Sequence, residues 1–183
     1  MIQAILYTSN SGYTEEYAKL LSEKTGIEAW PLSKAVHRVD PGAQVIYMGW
    51  LMAGVVKGYK DAAKNYDVLA VCAVGMGATG SQLDETRKSN KIPASTALFT
   101  LQGGVDINKL HGIYKFMMET MKNTVGKKLA KKKDRTADED DMLDMMMNGG
   151  DRVTEENLTK VLEWLEQQRR TDTASHIAGA HNY

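Results

Sequence analysis

Residues 68–74 read Val-Leu-Ala-Val-Cys-Ala-Val, seven apolar side chains in a row. An unbroken run of that length, bounded by turn residues, suits a strand covered on both faces, the central position of a parallel sheet. On either side, short apolar runs alternate with amphipathic stretches. Residues 2–7 read as a first strand. Residues 13–24 read as a helix, with Thr14, Tyr17, Ala18 and Leu21 on one face at i, i+3, i+4 and i+7. Gly26 then closes it. Residues 27–32 form a weaker strand broken by Pro31, and Asp40-Pro41-Gly42 is a turn signal. Residues 44–49 make a third strand, 55–64 a helix, 68–74 the fourth strand, 81–89 a short polar helix and 96–101 the fifth strand. Leu110, Ile113, Tyr114, Met117 and Met121 fall at helical spacing in a long amphipathic helix. Thr154, followed by Glu155 and Glu156, reads as the cap of a last helix striped by Leu158, Val161, Leu162 and Leu165. This alternation implies an α/β fold: a doubly wound three-layer sandwich with a five-stranded parallel sheet and helices on both faces.

With 183 residues the chain has room for one ordinary domain. Residues 1–170 are read as that domain, 131–150 as an insertion or connecting segment within it, and 171–183 as a polar tail. Lys plus Arg and Asp plus Glu both number 23, so the formal net charge is zero. A general nucleic-acid binder needs surplus cations to displace phosphate counterions, which argues against that class. The single cysteine, Cys72, allows no internal disulfide and lies inside an apolar run, where an inert core role suits it. His37, His111, His176 and His181 show no ligand spacing for a structured metal site. No apolar run reaches the ~18 residues of a membrane span, and the first residues lack the pattern of a signal peptide. The expectation is a cytoplasmic protein without a transmembrane segment.

One stretch is strongly patterned. Lys127, Lys128, Lys131, Lys132, Lys133 and Arg135 are followed by Asp138, Glu139, Asp140 and Asp141, then by Met142, Met145, Met146 and Met147. The charges read either as a solvated helix end before an acid-capped segment, or as a docking surface for an anionic partner. Methionines fill irregular core gaps and also line adaptable binding surfaces.

The loop after the first strand carries the chemistry. Thr8, Ser9, Asn10, Ser11, Gly12, Tyr13 and Thr14 join a buried strand directly to a helix. Such a junction gathers free backbone N–H groups and the positive end of a helix dipole around one point, and the hydroxyls and amide add donors. The loop has no Lys or Arg and no Gly-Lys-Ser/Thr ending, which disfavours a nucleotide-hydrolysing P-loop. A terminal phosphomonoester held by neutral donors suits it.

Residues 5–21 resemble the flavodoxin signature: aliphatic Ile5 and Leu6, aromatic Tyr7, then Ser9, Gly12, Thr14, Ala18 and Leu21. The resemblance implies a flavodoxin-like sandwich of strand order 2-1-3-4-5, in which residues 8–14 bind the phosphate of FMN. In such a sheet, ligands bind beyond the carboxyl ends of the strands where the order reverses, so the loops after Gly49 and Val74 matter too. The resemblance implies that Trp50, Leu51 and Met52 cover the isoalloxazine ring. Trp50 then stacks on the flavin, or it is a core or dimer contact. Residues 75–80, Gly-Met-Gly-Ala-Thr-Gly, spell G-x-G-x-x-G, so a dinucleotide site must be weighed. That fingerprint opens the first strand–helix unit and needs an acid after the next strand, which here ends Thr100-Leu101-Gln102-Gly103-Gly104. By resemblance, Gly75, Met76 and Gly77 instead border the polar edge of the ring. Typical flavodoxins carry an aromatic residue in this loop; here it holds Met76.

Three functions remain open. Residues 99–106 and the Met-rich helix after them are similar to flavodoxin-domain oxidoreductases of the menaquinone-dependent protoporphyrinogen dehydrogenase kind, which implies an enzyme passing electrons through FMN to a protein, a small molecule or a quinone. A small flavodoxin-type electron carrier is the second, although such carriers are usually acidic and this chain is neutral. A non-catalytic flavin-binding sensor or interaction module is the third.

Overall fold

Val68, Val71 and Ala73 pack into one layer from β5 (Asp67–Gly75), while Ala70, Cys72 and Val74 pack into the other. All six are buried. This strand is an interior strand of the sheet in a computed structural model that describes residues 1–179. It pairs in parallel with β3 (Gln44–Met52) and β6 (Ala97–Gln102). β1 (Ala4–Thr8) pairs in parallel with β3, and β2 (Ala29–Pro31) forms the far edge. The two-residue β4 (Val55–Val56) is an antiparallel partner of β3 beside this path. The five main strands therefore run in the order 2-1-3-4-5 of a flavodoxin-like sandwich.

The alternation of inward residues builds two cores. On one face α1 (Tyr13–Thr25) presents Tyr17, Ala18 and Leu21, and α8 (Thr159–Gly179) presents Val161 and Leu165 next to Leu158. They cover Ile5, Ile46, Met48 and Cys72. On the other face Ala35 of α2 (Leu32–Ala35) and Tyr59 and Ala62 of α3 (Tyr59–Asn65) cover Leu6, Val45, Tyr47 and Val71. α4 (Leu83–Asn90) lies against β4 and β6. Among the described residues no helix is long and apolar enough to cross a membrane.

Four local expectations change. Residues 55–64 begin as β4, and the helix starts only at Tyr59, because Gly58 adopts φ 81° under the Tyr47 hydroxyl and breaks the helical path. The last helix does not start at Thr154. Residues 156–158 form a 3-10 turn first, with Asn157 tied into tertiary hydrogen bonds, and α8 follows from Thr159. That helix continues through Gly179, where a polar tail was expected from 171; residues 180–183 lie outside the described residues.

The fourth change is the largest. The chain leaves the sandwich at β7 (Gly104–Val105) and returns at β8 (Gly150–Asp151), which pair antiparallel and close the excursion like a clasp. Between them lie α5 (Gly112–Met121), a π turn at 122–126, α6 (Lys127–Lys131) and α7 (Ala137–Asn148). The insertion is thus wider than 131–150. The amphipathic stripe of α5 looks like a sandwich helix in sequence, yet none of its residues is fully buried. Gly104 permits the clasp, since a Cβ there would lie 2.5 Å from the Tyr13 ring and 2.6 Å from the Gly150 carbonyl. α7 opens with a complete capping box between Thr136 and Glu139, and Lys132 holds the Glu139 carboxyl below its ordinary pKa.

Cys72 is fully buried, and burial pushes its thiol up to about 12. Only thiolate attacks a disulfide reagent. Native protein at pH 8 should leave Ellman's reagent uncoloured and should react with one thiol once unfolded; prompt colour from the native protein would contradict the packing of β5.

Candidate functional site

One hollow opens at the carboxyl ends of β1, β3 and β5, where the strand order reverses, and a second runs from Thr8 and Trp50 along α2 and α3 to Pro41 and Tyr66. The first has a volume of about 450 Å³, inside the range of small-molecule sites. One end is made by Asn10, Ser11, Tyr13 and Thr14 from the β1–α1 junction. Trp50, Leu51 and Met52 form one wall and Gly75, Met76 and Gly77 another. The roof comes from the insertion: Tyr114, Met117, Met118 and Met121 of α5 and Met142 of α7.

At the junction, α1 is capped by Gly12 at φ 104°, a left-handed conformation that suits glycine. Gly12 brings no side chain to cap the helix, and its own N–H donates to Ser9 Oγ at 3.2 Å. The first-turn N–H groups of Tyr13, Thr14 and Glu15 have no intrahelical acceptor and remain available to a ligand. Thr14 is 2% exposed and lines the cavity, and among the described residues no partner takes its hydroxyl. Burial, followed by the nearby Asp151 and Asp106 carboxylates, raises the Tyr13 phenol above its usual range, so it stays a neutral donor. The arrangement can bind a phosphate with backbone N–H groups, the Thr14 hydroxyl and the helix dipole.

The wall of β3 differs from expectation. Trp50, Leu51 and Met52 are not a loop: β3 runs on through Met52 because Leu51 and Met52 find antiparallel partners in Val56 and Val55. The turn between them uses Ala53 at φ 49° and Gly54 at φ 76°, the double positive φ of a tight hairpin turn. Alanine in that region costs about 1–2 kcal/mol, so strain is stored at the cavity edge. Trp50 meets the Tyr114 ring edge-on, with centroids 5.4 Å apart. Tyr114 thus supplies an aromatic ring to the site that the β5–α4 loop lacks.

Ten of the expected residues meet in this cavity: Asn10, Ser11, Tyr13, Thr14, Trp50, Leu51, Met52, Gly75, Met76 and Gly77. Gly12 acts as the cap behind it. Thr8 and Ser9 line the neighbouring groove of about 700 Å³, beside Ser33, Lys57 and Asp61, with Asn10, Trp50 and Tyr114 shared between the two hollows. The Tyr47 hydroxyl donates to the Lys57 carbonyl at 2.5 Å and lies 2.7 Å from Thr8 Oγ1. With its single proton given to Lys57, Tyr47 accepts from Thr8, whose hydroxyl braces β1 against β3. The G-x-G-x-x-G reading also loses its geometry. Residues 76–82 separate β5 from α4, so no helix N-terminus directly follows the glycines. Gln102 donates instead to the Met76 carbonyl at 3.3 Å.

A hydrogen-bond cluster holds the roof in place. The Tyr17 hydroxyl donates to the Gln102 carbonyl and accepts from Asn157 Nδ2 at 2.7 Å. Asn157 Oδ1 accepts from Thr79 Oγ1 at 2.7 Å, which accepts from the Gln102 N–H at 2.9 Å. Gln102 Nε2 also donates to Asp141 Oδ2 at 2.5 Å, and Arg152 donates to Asp141 at 2.9 Å and Asp144 at 3.2 Å. Helix α7 is thereby pinned over the β5 loop. The roof residues Tyr114, Met117 and Met121 belong to a stripe visible in sequence, but nothing local tells which surface that stripe meets.

No protein-family model matches the chain, and no curated protein matches it in sequence.

Arg152→Met should free α7. Hydrogen exchange within residues 137–148 should quicken at least tenfold while β3 and β5 keep their protection. Uniform loss across the sheet would show that the clamp holds more than the roof.

Proposed function

We propose that the protein binds FMN in the 450 Å³ cavity and acts as an oxidoreductase that passes electrons through it. One observation carries this reading. A helix N-terminus that no side chain caps and the unengaged hydroxyl of the largely buried Thr14 lie at one end of a cavity whose other walls are aromatic, thioether and glycine backbone. Polar donors at one end and a flat apolar slot beyond them match a phosphorylated ring compound. The flavodoxin resemblance of residues 5–21 and the strand order support the choice of FMN among such compounds. When bound, FMN supplies hydride and electron transfer.

The chain's own groups would divide the work. Backbone N–H groups of residues 13–15, with the hydroxyls of Ser11 and Thr14, hold the phosphate. Trp50 and Tyr114 bound the ring, and the glycine backbone of 75–77 allows close approach to its edge. The methionine roof keeps water away from that side. Zero net charge counts against an acidic electron shuttle, and a roofed cavity favours an enzyme over a carrier that must present its cofactor edge to large proteins. The acceptor would be a redox protein or a small molecule such as a quinone, in the cytoplasm.

Purified protein should be yellow or take up FMN on reconstitution; failure to bind FMN at all would sink the proposal. Two variants separate the ends of the site. Thr14→Val should weaken FMN binding by about 1–2 kcal/mol while leaving riboflavin binding unchanged, since only the phosphate contact is lost. Trp50→Ala should weaken both ligands. Flavin fluorescence titration reads both, and equal loss of FMN and riboflavin affinity in Thr14→Val would remove the phosphate assignment. Direct reduction of the flavin by NADH or NADPH would favour the enzyme; reduction only through a reductase would favour a carrier.

A further inference from the structure

The roof has a second side. Residues 109–133 contain eight lysines and a single acid, Glu119, in a chain whose total charge is zero. Three of these lysines are engaged: Lys109 with Asp106, Lys132 with Glu139, and Lys122 with the Met147 carbonyl. Among the described residues Lys115, Lys127, Lys128, Lys131 and Lys133 have no carboxylate within 4.0 Å, and all five are exposed. Lys115, Lys127, Lys128 and Lys131 share one rod with large apolar side chains that face solvent, and Lys133 lies just past its end. Ile113 is 67% exposed, Phe116 68% and Val125 41%. Tyr114, Met117 and Met121 of the same helix line the cavity, so α5 is apolar on two sides and only one of them is used internally.

The rod runs without a break from α5 through the π turn into α6, about 30 Å at helical rise. Within it the hydroxyls of Thr120 and Thr124 donate back to the carbonyls of Phe116 and Thr120. Of the acids that follow, Glu139 takes Lys132 at the end of this stretch, whereas Asp140 pairs with Arg135, and Asp141 and Asp144 with Arg152; Asp134 and Asp138 lie beyond the end of α6. The equality of charges in the whole chain therefore conceals a basic, apolar-studded rod.

We propose that this rod docks the protein on an anionic lipid surface. Lysines give the electrostatic attraction, and Ile113 and Phe116 enter the headgroup layer, as in an interfacial amphipathic helix. An acidic protein partner would be met by the lysines alone. It would leave Ile113 and Phe116, side chains standing out from a helix, without a receiving pocket of stated shape, whereas a fluid headgroup layer accepts protruding apolar groups.

The test is co-sedimentation of the full chain with vesicles of phosphatidylcholine alone, or of phosphatidylcholine and phosphatidylserine at roughly two to one. Binding is expected to the mixed vesicles only and should fall away in 1 M salt, where the Debye length shrinks to about 3 Å. Replacing Lys127, Lys128, Lys131 and Lys133 by Gln should weaken binding about a hundredfold or more. Ile113→Ser with Phe116→Ser should weaken it at least tenfold. All six positions are exposed, so circular-dichroism melting should match that of the parent chain and any loss can be read as lost docking. Absence of binding to the mixed vesicles, equal binding to neutral ones, or unchanged binding by either variant would overturn the proposal. So would a concentration-dependent dimer that disappears in Phe116→Ser, which would assign the face to a second copy of the chain. None of these readings depends on FMN.

Discussion

β3 and β5 are buried on both faces, and that double burial sets the geometry of everything else. A strand with no solvent face needs a helix layer on each side, and parallel neighbours require crossovers long enough to supply those helices. Tyr17, Leu21, Val161 and Leu165 fill one layer and Ala35, Tyr59 and Ala62 the other. Once the layers are filled, the carboxyl ends of β1, β3 and β5 converge at the reversal of strand order. The polar loop of residues 8–14, the hairpin edge at 53–54 and the glycine-rich residues 75–77 have no other place to go.

The insertion uses the same end of the sheet. It leaves at Gly104 and returns at Asp151, so both of its ends lie beside the cavity, and a helical strap tethered there must lie across the opening. Gln102 connects the two parts. Its carbonyl joins Tyr17 and its side chain reaches both the Met76 carbonyl and Asp141. A single glutamine at the end of the edge strand β6 thus couples the sandwich, the β5 loop and the roof. Coupling of that kind gives the roof a defined position above the cavity while leaving α5 without any fully buried residue, the low-stability end of the structure from which moving elements are drawn.

Much of this was legible beforehand. Residues 68–74 announced a central strand by their lack of polarity, and the spacing of Thr14, Tyr17, Ala18 and Leu21 located the inner face of α1. The hydroxyl-rich loop was recognisable because small donors between a strand and a helix have few other uses. The extension of β3 through Met52 was less visible. Trp50, Leu51 and Met52 are as apolar as any loop-side wall, and only the pairing with Val55 and Val56 makes them strand. Thr8 looked like one more phosphate donor until Tyr47, distant in sequence, claimed its hydroxyl.

Local pattern therefore determined the fold class, a strand buried inside the sheet and the position of the polar loop, because burial periodicity and turn chemistry are encoded within a few residues. Tertiary structure alone decided which hydroxyls stay free, how far the insertion extends and what its methionine stripe covers. Those outcomes depend on pairs far apart in the chain, such as Gly104 with Asp151, Gln102 with Asp141, and Trp50 with Tyr114. No window of neighbouring residues contains them, since a hydrogen bond or a ring contact is chosen by which surfaces the completed sandwich leaves within reach.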